Sequence, residues 1–243
     1  MADAVSEFVT YEVVERIAIV RIDHGKANTL SSEVVAALDA ALTRAEEAGP
    51  EAVGAMLITG KPGFLSGGFD LDEIKASPAS AGKLVTAGGA LFSRLYGSPV
   101  PVVVASPGHA IAAGALLLLG ADERIGTAGR FKIGLIETQI GMVLPRWAVE
   151  LSVERLAGQH LQIATVGARS YDPQGALAAG FYDDIVEPDQ LEARALDAAR
   201  YWAGLPRAAY VGQVKMVRAG RLARLAEAVE HDRGLVFEIR GDS

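Results

Sequence analysis

The chain has 243 residues, half of them hydrophobic and 22% charged, with a formal net charge of −7. That length and balance fit a soluble globular protein with a sizeable core, and the acidity argues against a nucleic-acid-binding role. With no cysteine in the chain, disulfides, a thiol nucleophile and cysteine-based metal sites are excluded.

Residues 1–7 show no basic stretch followed by an apolar one, so no signal peptide is expected. The longest apolar run, 110–119, is too short to cross a bilayer. The expected compartment is the reducing cytoplasm.

In chain order, residues 17–22 are rich in branched side chains and predict a strand. Residues 33–48 place Val34, Val35, Leu38 and Leu42 at helical spacing, with Ser31 or Ser32 as N-cap. A strand follows over 53–59, then a helix over 86–96, a strand over 100–105, a buried helix over 112–119 and a strand over 123–127. Helices are predicted over 149–158 and 173–179, and a short strand over 183–186. Beyond Pro188 the pattern is helical throughout: 191–204, 208–217 and 222–237. Strands alternate with helices for three quarters of the chain, which predicts an α/β core over 1–188 and a helical region over 189–243.

Several familiar motifs are missing. There is no P-loop, no dinucleotide-binding Gly-x-Gly-x-x-Gly after a strand, and no Gly-x-Ser-x-Gly elbow. The four histidines are scattered without metal-binding spacing, and His109 is read as structural.

Three segments carry the chemistry. Residues 64–71, Phe-Leu-Ser-Gly-Gly-Phe-Asp-Leu, follow a strand and a turn. Gly67 and Gly68 let a ligand approach bare backbone, and Asp70 with Glu73 marks a helix start. Residues 107–116 join an apolar strand to an apolar helix through small residues, again leaving backbone N–H groups accessible. In residues 131–142, Glu137 sits among apolar neighbours, where a carboxyl has a raised pKa suited to proton transfer near neutrality. Taken singly, these segments have ordinary readings: a glycine turn, close helix packing, an exposed glutamate. Together they supply two backbone N–H groups and one carboxylate, the equipment to stabilise an enolate oxygen while moving a proton.

With these motifs in this order, after Lys26-Ala27-Asn28-Thr29-Leu30, the chain resembles the crotonase (enoyl-CoA hydratase/isomerase) superfamily over about 14–185. The resemblance implies a spiral of ββα turns with a C-terminal helical region, assembly as a homotrimer or a hexamer of two trimers, and an acyl-CoA thioester as substrate. Coenzyme A would then be part of the substrate, with no separate cofactor or metal, and no nucleic-acid or membrane partner. By motif position, the N–H groups of Phe69 and Ala113 would form the oxyanion hole. Ala27, Gly67, Gly68, Gly114 and Leu116 would line the substrate, and Glu137 would be the acid–base residue.

Hydratases of the superfamily carry a first glutamate where Leu116 stands. The stretch 133–141, followed by Pro145 and Trp147, is similar to the mitochondrial-type Δ3,Δ2-enoyl-CoA isomerases, which also have leucine there. Asparagine is usual in those enzymes where this chain has Ile136. The resemblance therefore implies an isomerase, with a hydratase or a non-catalytic acyl-CoA-binding protein as alternatives. Lys215, Arg218, Arg221 and Arg224 form a basic helix face, read as solvated surface or as a contact for the coenzyme A phosphates.

Overall fold

The structure, a computed structural model, describes residues 3–235. Its strands are β1 (Asp3–Ala4), β2 (Val9–Val14), β3 (Ile17–Ile22), β4 (Ala55–Thr59), β5 (Gly63–Ser66), β6 (Val102–Ser106), β7 (Gly108–Ile111), β8 (Glu123–Thr127), β9 (Ile133–Gly134) and β10 (Asp184–Val186). Its helices are α1 (Ser32–Glu47), α2 (Leu71–Ala76), α3 (Pro78–Gly97), α4 (Ala113–Leu119), α5 (Arg146–Arg155), α6 (Gly158–Thr165), α7 (Pro173–Ala179), α8 (Leu191–Ala203) and α9 (Arg207–Asp232).

Seven strands form one sheet in the order β1-β2-β3-β4-β6-β8-β10. From β3 to β10 every pairing is parallel, whereas β1 and β2 are antiparallel additions. A parallel sheet needs both faces covered, which is why the central strands β4 and β6 read as apolar runs broken only at their last residue. Alternate residues go to opposite faces. Ile17, Ile19, Leu57, Val103 and Ala105 meet α8 through Leu191, Ala195, Ala198 and Ala199. Ala18, Val20, Met56, Ile58, Val102 and Val104 point into the main core, against Val34, Leu38 and Leu42 of α1 among others.

A second, smaller sheet, β5-β7-β9, is parallel throughout, with Phe64 beside His109 and Ala110 beside Ile133. The strand-then-helix repeat is the expected α/β class, with α8 and α9 packed on the core. Ser31 is the N-cap of α1, its hydroxyl accepting from the Val34 N–H at 3.2 Å. Asp70 caps α2 in the same manner, accepting from Asp72 and Glu73.

Several boundaries differ from expectation. The helix expected over 86–96 begins at Pro78, because Ser77 caps it and proline is favoured at the first helical position. The helix expected over 149–158 divides into α5 and α6, since Leu156 and Ala157 are extended. The two helices expected over 208–217 and 222–237 are one continuous α9, and positions 236–237 lie outside the described residues. Gly220 does not break α9 because Arg218 and Arg221, on either side of it, are tied to Asp122 and Glu154. Strand β2 is an addition to the elements expected from the sequence. Its hairpin to β3 turns at Glu15 and Arg16, both at positive φ, rather than at an Asn-Gly pair.

Candidate active site

The three chemistry-bearing segments meet at the carboxyl ends of the small sheet. β5 runs into Gly67, Gly68 and Phe69; β7 runs into Ala112 and Ala113; β9 leads three residues later to Glu137. The carboxyl ends of parallel strands are where open α/β sheets bind ligands.

The first segment is held by backbone bonds to the loop before α1. The Gly67 N–H donates to the Ala27 carbonyl at 2.8 Å, and the Leu30 N–H to the Gly68 carbonyl at 2.8 Å. The Asp70 N–H donates to the Leu30 carbonyl at 3.1 Å. This ladder uses the groups on either side of Phe69, so the Phe69 N–H faces away from Leu30. The anchor beneath is Asn28, buried and left-handed at φ 53°. Its amide donates to the carbonyls of Leu65 (2.7 Å) and Ile22 (3.1 Å), and its side-chain oxygen accepts from the His24 N–H. Nothing in the sequence marks Asn28 for this part. A polar residue buried at positive φ is a structural signal that sequence alone does not carry.

The second segment touches the first. A Cβ on Gly68, whose φ is +106°, would lie 3.0 Å from Ala112 Cβ, 3.2 Å from the Ile111 carbonyl oxygen and 3.6 Å from the Ala113 nitrogen. Ala112 has φ 52° and ψ −121°, a strained conformation for a residue with a side chain. The strain is held by its N–H, which donates to the Gly134 carbonyl at 2.9 Å and ties the junction to β9. Ala113 follows as the first residue of α4, where a backbone N–H has no partner within the helix.

Two expected lining residues sit deeper than the site itself. The side-chain direction of Gly114 is closed by Ser66, whose carbonyl oxygen would be 2.4 Å from an added Cβ, so this glycine serves the packing of α4 on β5. Leu116 is 1% exposed and belongs to the main apolar core.

Glu137 opens a short 3-10 turn, Glu137–Ile140, closed by Gly141 in the left-handed region. It is 8% exposed, and its Oε2 has no hydrogen-bond partner. Burial among apolar groups raises its pKa from the ordinary 4.5 to about 7. His109 lies between the rings of Phe64 and Phe131, and its Nδ1 accepts the Lys132 N–H, consistent with a structural part. No group of three potential metal ligands occurs among the described residues.

The basic face on α9 does not present its arginines as a set to an external anion. Arg218 donates to Asp122 at 2.6 Å and to the Tyr96 carbonyl, Arg221 pairs with Glu154, and Arg224 pairs with Glu150 at 3.3 Å. The neighbouring acids neutralise three of its four cations, and Lys215 is exposed.

A family model described as enoyl-CoA hydratase/isomerase matches residues 12–240. Human mitochondrial enoyl-CoA delta isomerase 1 is 30% identical over 218 residues, covering 89% of this chain and 72% of that protein. A crystal structure of an enoyl-CoA hydratase/isomerase family protein from Pseudomonas syringae superposes with a TM-score of 0.91 at 39% identity, covering 96% of this chain and 100% of that one. A Mycobacterium tuberculosis protein, described in one structure as an enoyl-CoA isomerase and in another as a probable enoyl-CoA hydratase, gives TM-scores of 0.86 and 0.87 at 37% identity, covering 92% of this chain and 96% and 94% of those chains.

Proposed function

The chain belongs to the enoyl-CoA hydratase/isomerase family, and on that premise we propose that it shifts the double bond of a 3-enoyl-CoA to the 2-position. The observation that carries this reading is the buried carboxyl of Glu137, three residues beyond the carboxyl end of β9, while the position of a hydratase's first glutamate is Leu116, enclosed in the core.

The thioester oxygen lies between the N–H groups of Phe69 and Ala113. Donors set in advance stabilise the enolate as it forms, and one such donor contributes about 3 kcal/mol to the transition state. Glu137 takes a proton from the α-carbon. The electrons move into the enolate, and the same carboxyl, now protonated, delivers a proton to the γ-carbon as the conjugated double bond forms. No water enters the balance, and Leu116 supports this by keeping the second carboxylate position apolar. A carboxyl with a pKa near 7 suits both halves of the transfer.

Ala27, Gly67 and Gly68 line the coenzyme A portion through their backbone, and coenzyme A enters only as part of the substrate. The working form is a cytoplasmic homotrimer or a hexamer of two trimers, which light scattering on purified protein tests.

The decisive assay gives purified protein a 3-enoyl-CoA and, separately, a 2-enoyl-CoA. Conjugation of the first without hydration of the second is the expected result. Hydration of the second would replace this reading with a hydratase. Binding of both without turnover would make the chain an acyl-CoA-binding protein.

A further inference from the structure

Helix α3 carries two adjacent glycines, Gly88 and Gly89, in the middle of its 20 residues. Glycine weakens a helix interior, so a pair there calls for a steric reason. Each seats one aromatic ring. A Cβ on Gly88 would lie 2.3 Å from Phe69 Cζ and 2.6 Å from Cε1. One on Gly89 would lie 2.7 Å from both Cδ1 and Nε1 of Trp147. Phe92, buried on the same helix, joins the two rings. It stacks on Phe69 with centroids 6.4 Å apart and planes 11° apart, and meets Trp147 edge-on at 5.7 Å.

One seated residue belongs to the site, and the other follows Glu137 along the chain. Phe69 carries one proposed oxyanion N–H. Trp147 is the second residue of α5, ten positions after Glu137, and its backbone N–H donates to the buried carboxylate of Asp232 at 3.1 Å. The Phe69 ring is constrained at both ends. Its backbone is locked by the Leu30 ladder, and its tip rests on Gly88. Rotation about the Cβ–Cγ bond does not relieve a clash at Cζ, because that atom lies on the rotation axis. A methyl at position 88 must therefore swing the ring out of its seat, move the Phe69 backbone or shift α3.

We infer that Gly88 and Gly89, acting through the Phe69–Phe92–Trp147 stack, are positioning residues that hold the Phe69 N–H in register with the segment bearing Glu137. The inference rests on the oxyanion role proposed above for Phe69. It differs from simple core packing because it predicts a change in how the thioester carbonyl is polarised.

The test uses hexanoyl-CoA labelled with carbon-13 at the thioester carbonyl, bound to the full-length protein, with the carbonyl stretch read by difference infrared spectroscopy. In the unaltered protein the stretch should move to lower frequency on binding. Gly88→Ala should lose at least half of that displacement and lower kcat at least tenfold, with KM changed less than threefold. Phe92→Leu, which removes the stacked ring without adding bulk to α3, should reduce the displacement in the same direction. If the unaltered protein binds the probe without a carbonyl displacement, the oxyanion reading of Phe69 fails. If it shows the displacement and both Gly88→Ala and Phe92→Leu retain it in full, the positioning role is overturned.

Discussion

Glu137→Gln separates the burial of this carboxyl from its chemistry. The side chain is 8% exposed and its pKa stands at about 7, against 4.5 when solvated. The folded value lies above the unfolded one, so folding favours the protonated form. The contribution of the neutral carboxyl is whole below pH 4.5 and is lost as the pH rises through about 7. The full difference corresponds to about 3 kcal/mol of destabilisation at pH 8.5 and only about 1 kcal/mol at pH 5. Glutamine has nearly the same shape and does not titrate there, so its own fixed effect cancels between the two pH values. The stability of Glu137→Gln relative to the unaltered protein should therefore improve by about 2 kcal/mol between pH 5 and pH 8.5, or roughly 4–8 °C in Tm for a chain of this size. Thermal melts at one protein concentration measure it. In the conjugation assay the unaltered protein should gain activity with a midpoint near pH 7 as the base ionises, and Glu137→Gln should be inactive throughout. A Tm difference that is the same at both pH values would refute the claim that the carboxyl is desolvated.

Two further substitutions probe the frame around the site. Gly68→Ala puts a side chain at φ +106° and against Ala112 and the Ile111 carbonyl, so it should cost about 1–2 kcal/mol in denaturant titration. It also forces the two junctions apart and should lower kcat by about 100-fold, the scale of one lost oxyanion donor; full activity would refute the juxtaposition. Arg218→Ala leaves the Asp122 carboxylate, whose side chain is 0% exposed, without its ion pair, and should cost about 3–5 kcal/mol. The KM for acyl-CoA should be unchanged, and a raised KM with unaltered stability would return Arg218 to a coenzyme A contact.

The sequence by itself determined the α/β class, because a buried parallel strand must be apolar on both faces and the helices between must be apolar on one. The runs at 17–22 and 53–59 and the periodic stretch opening at Ser31 were legible for that reason. So were the three chemistry-bearing segments, whose glycines and lone glutamate depart from the surrounding pattern. The short strands β5, β7 and β9 were not legible. With two to four residues each, they have too few alternations to register as a period, and their stability comes from pairing with one another. Only the tertiary structure decided that their carboxyl ends coincide, that Ala112 is held in a strained turn by Gly134, and that Glu137 is desolvated. It also decided that Arg218 faces Asp122 rather than solvent and that Gly88 and Gly89 are seats for rings from distant segments. Burial, strain and ion pairing depend on which side chains are neighbours in space, and a linear pattern records only which are neighbours along the chain.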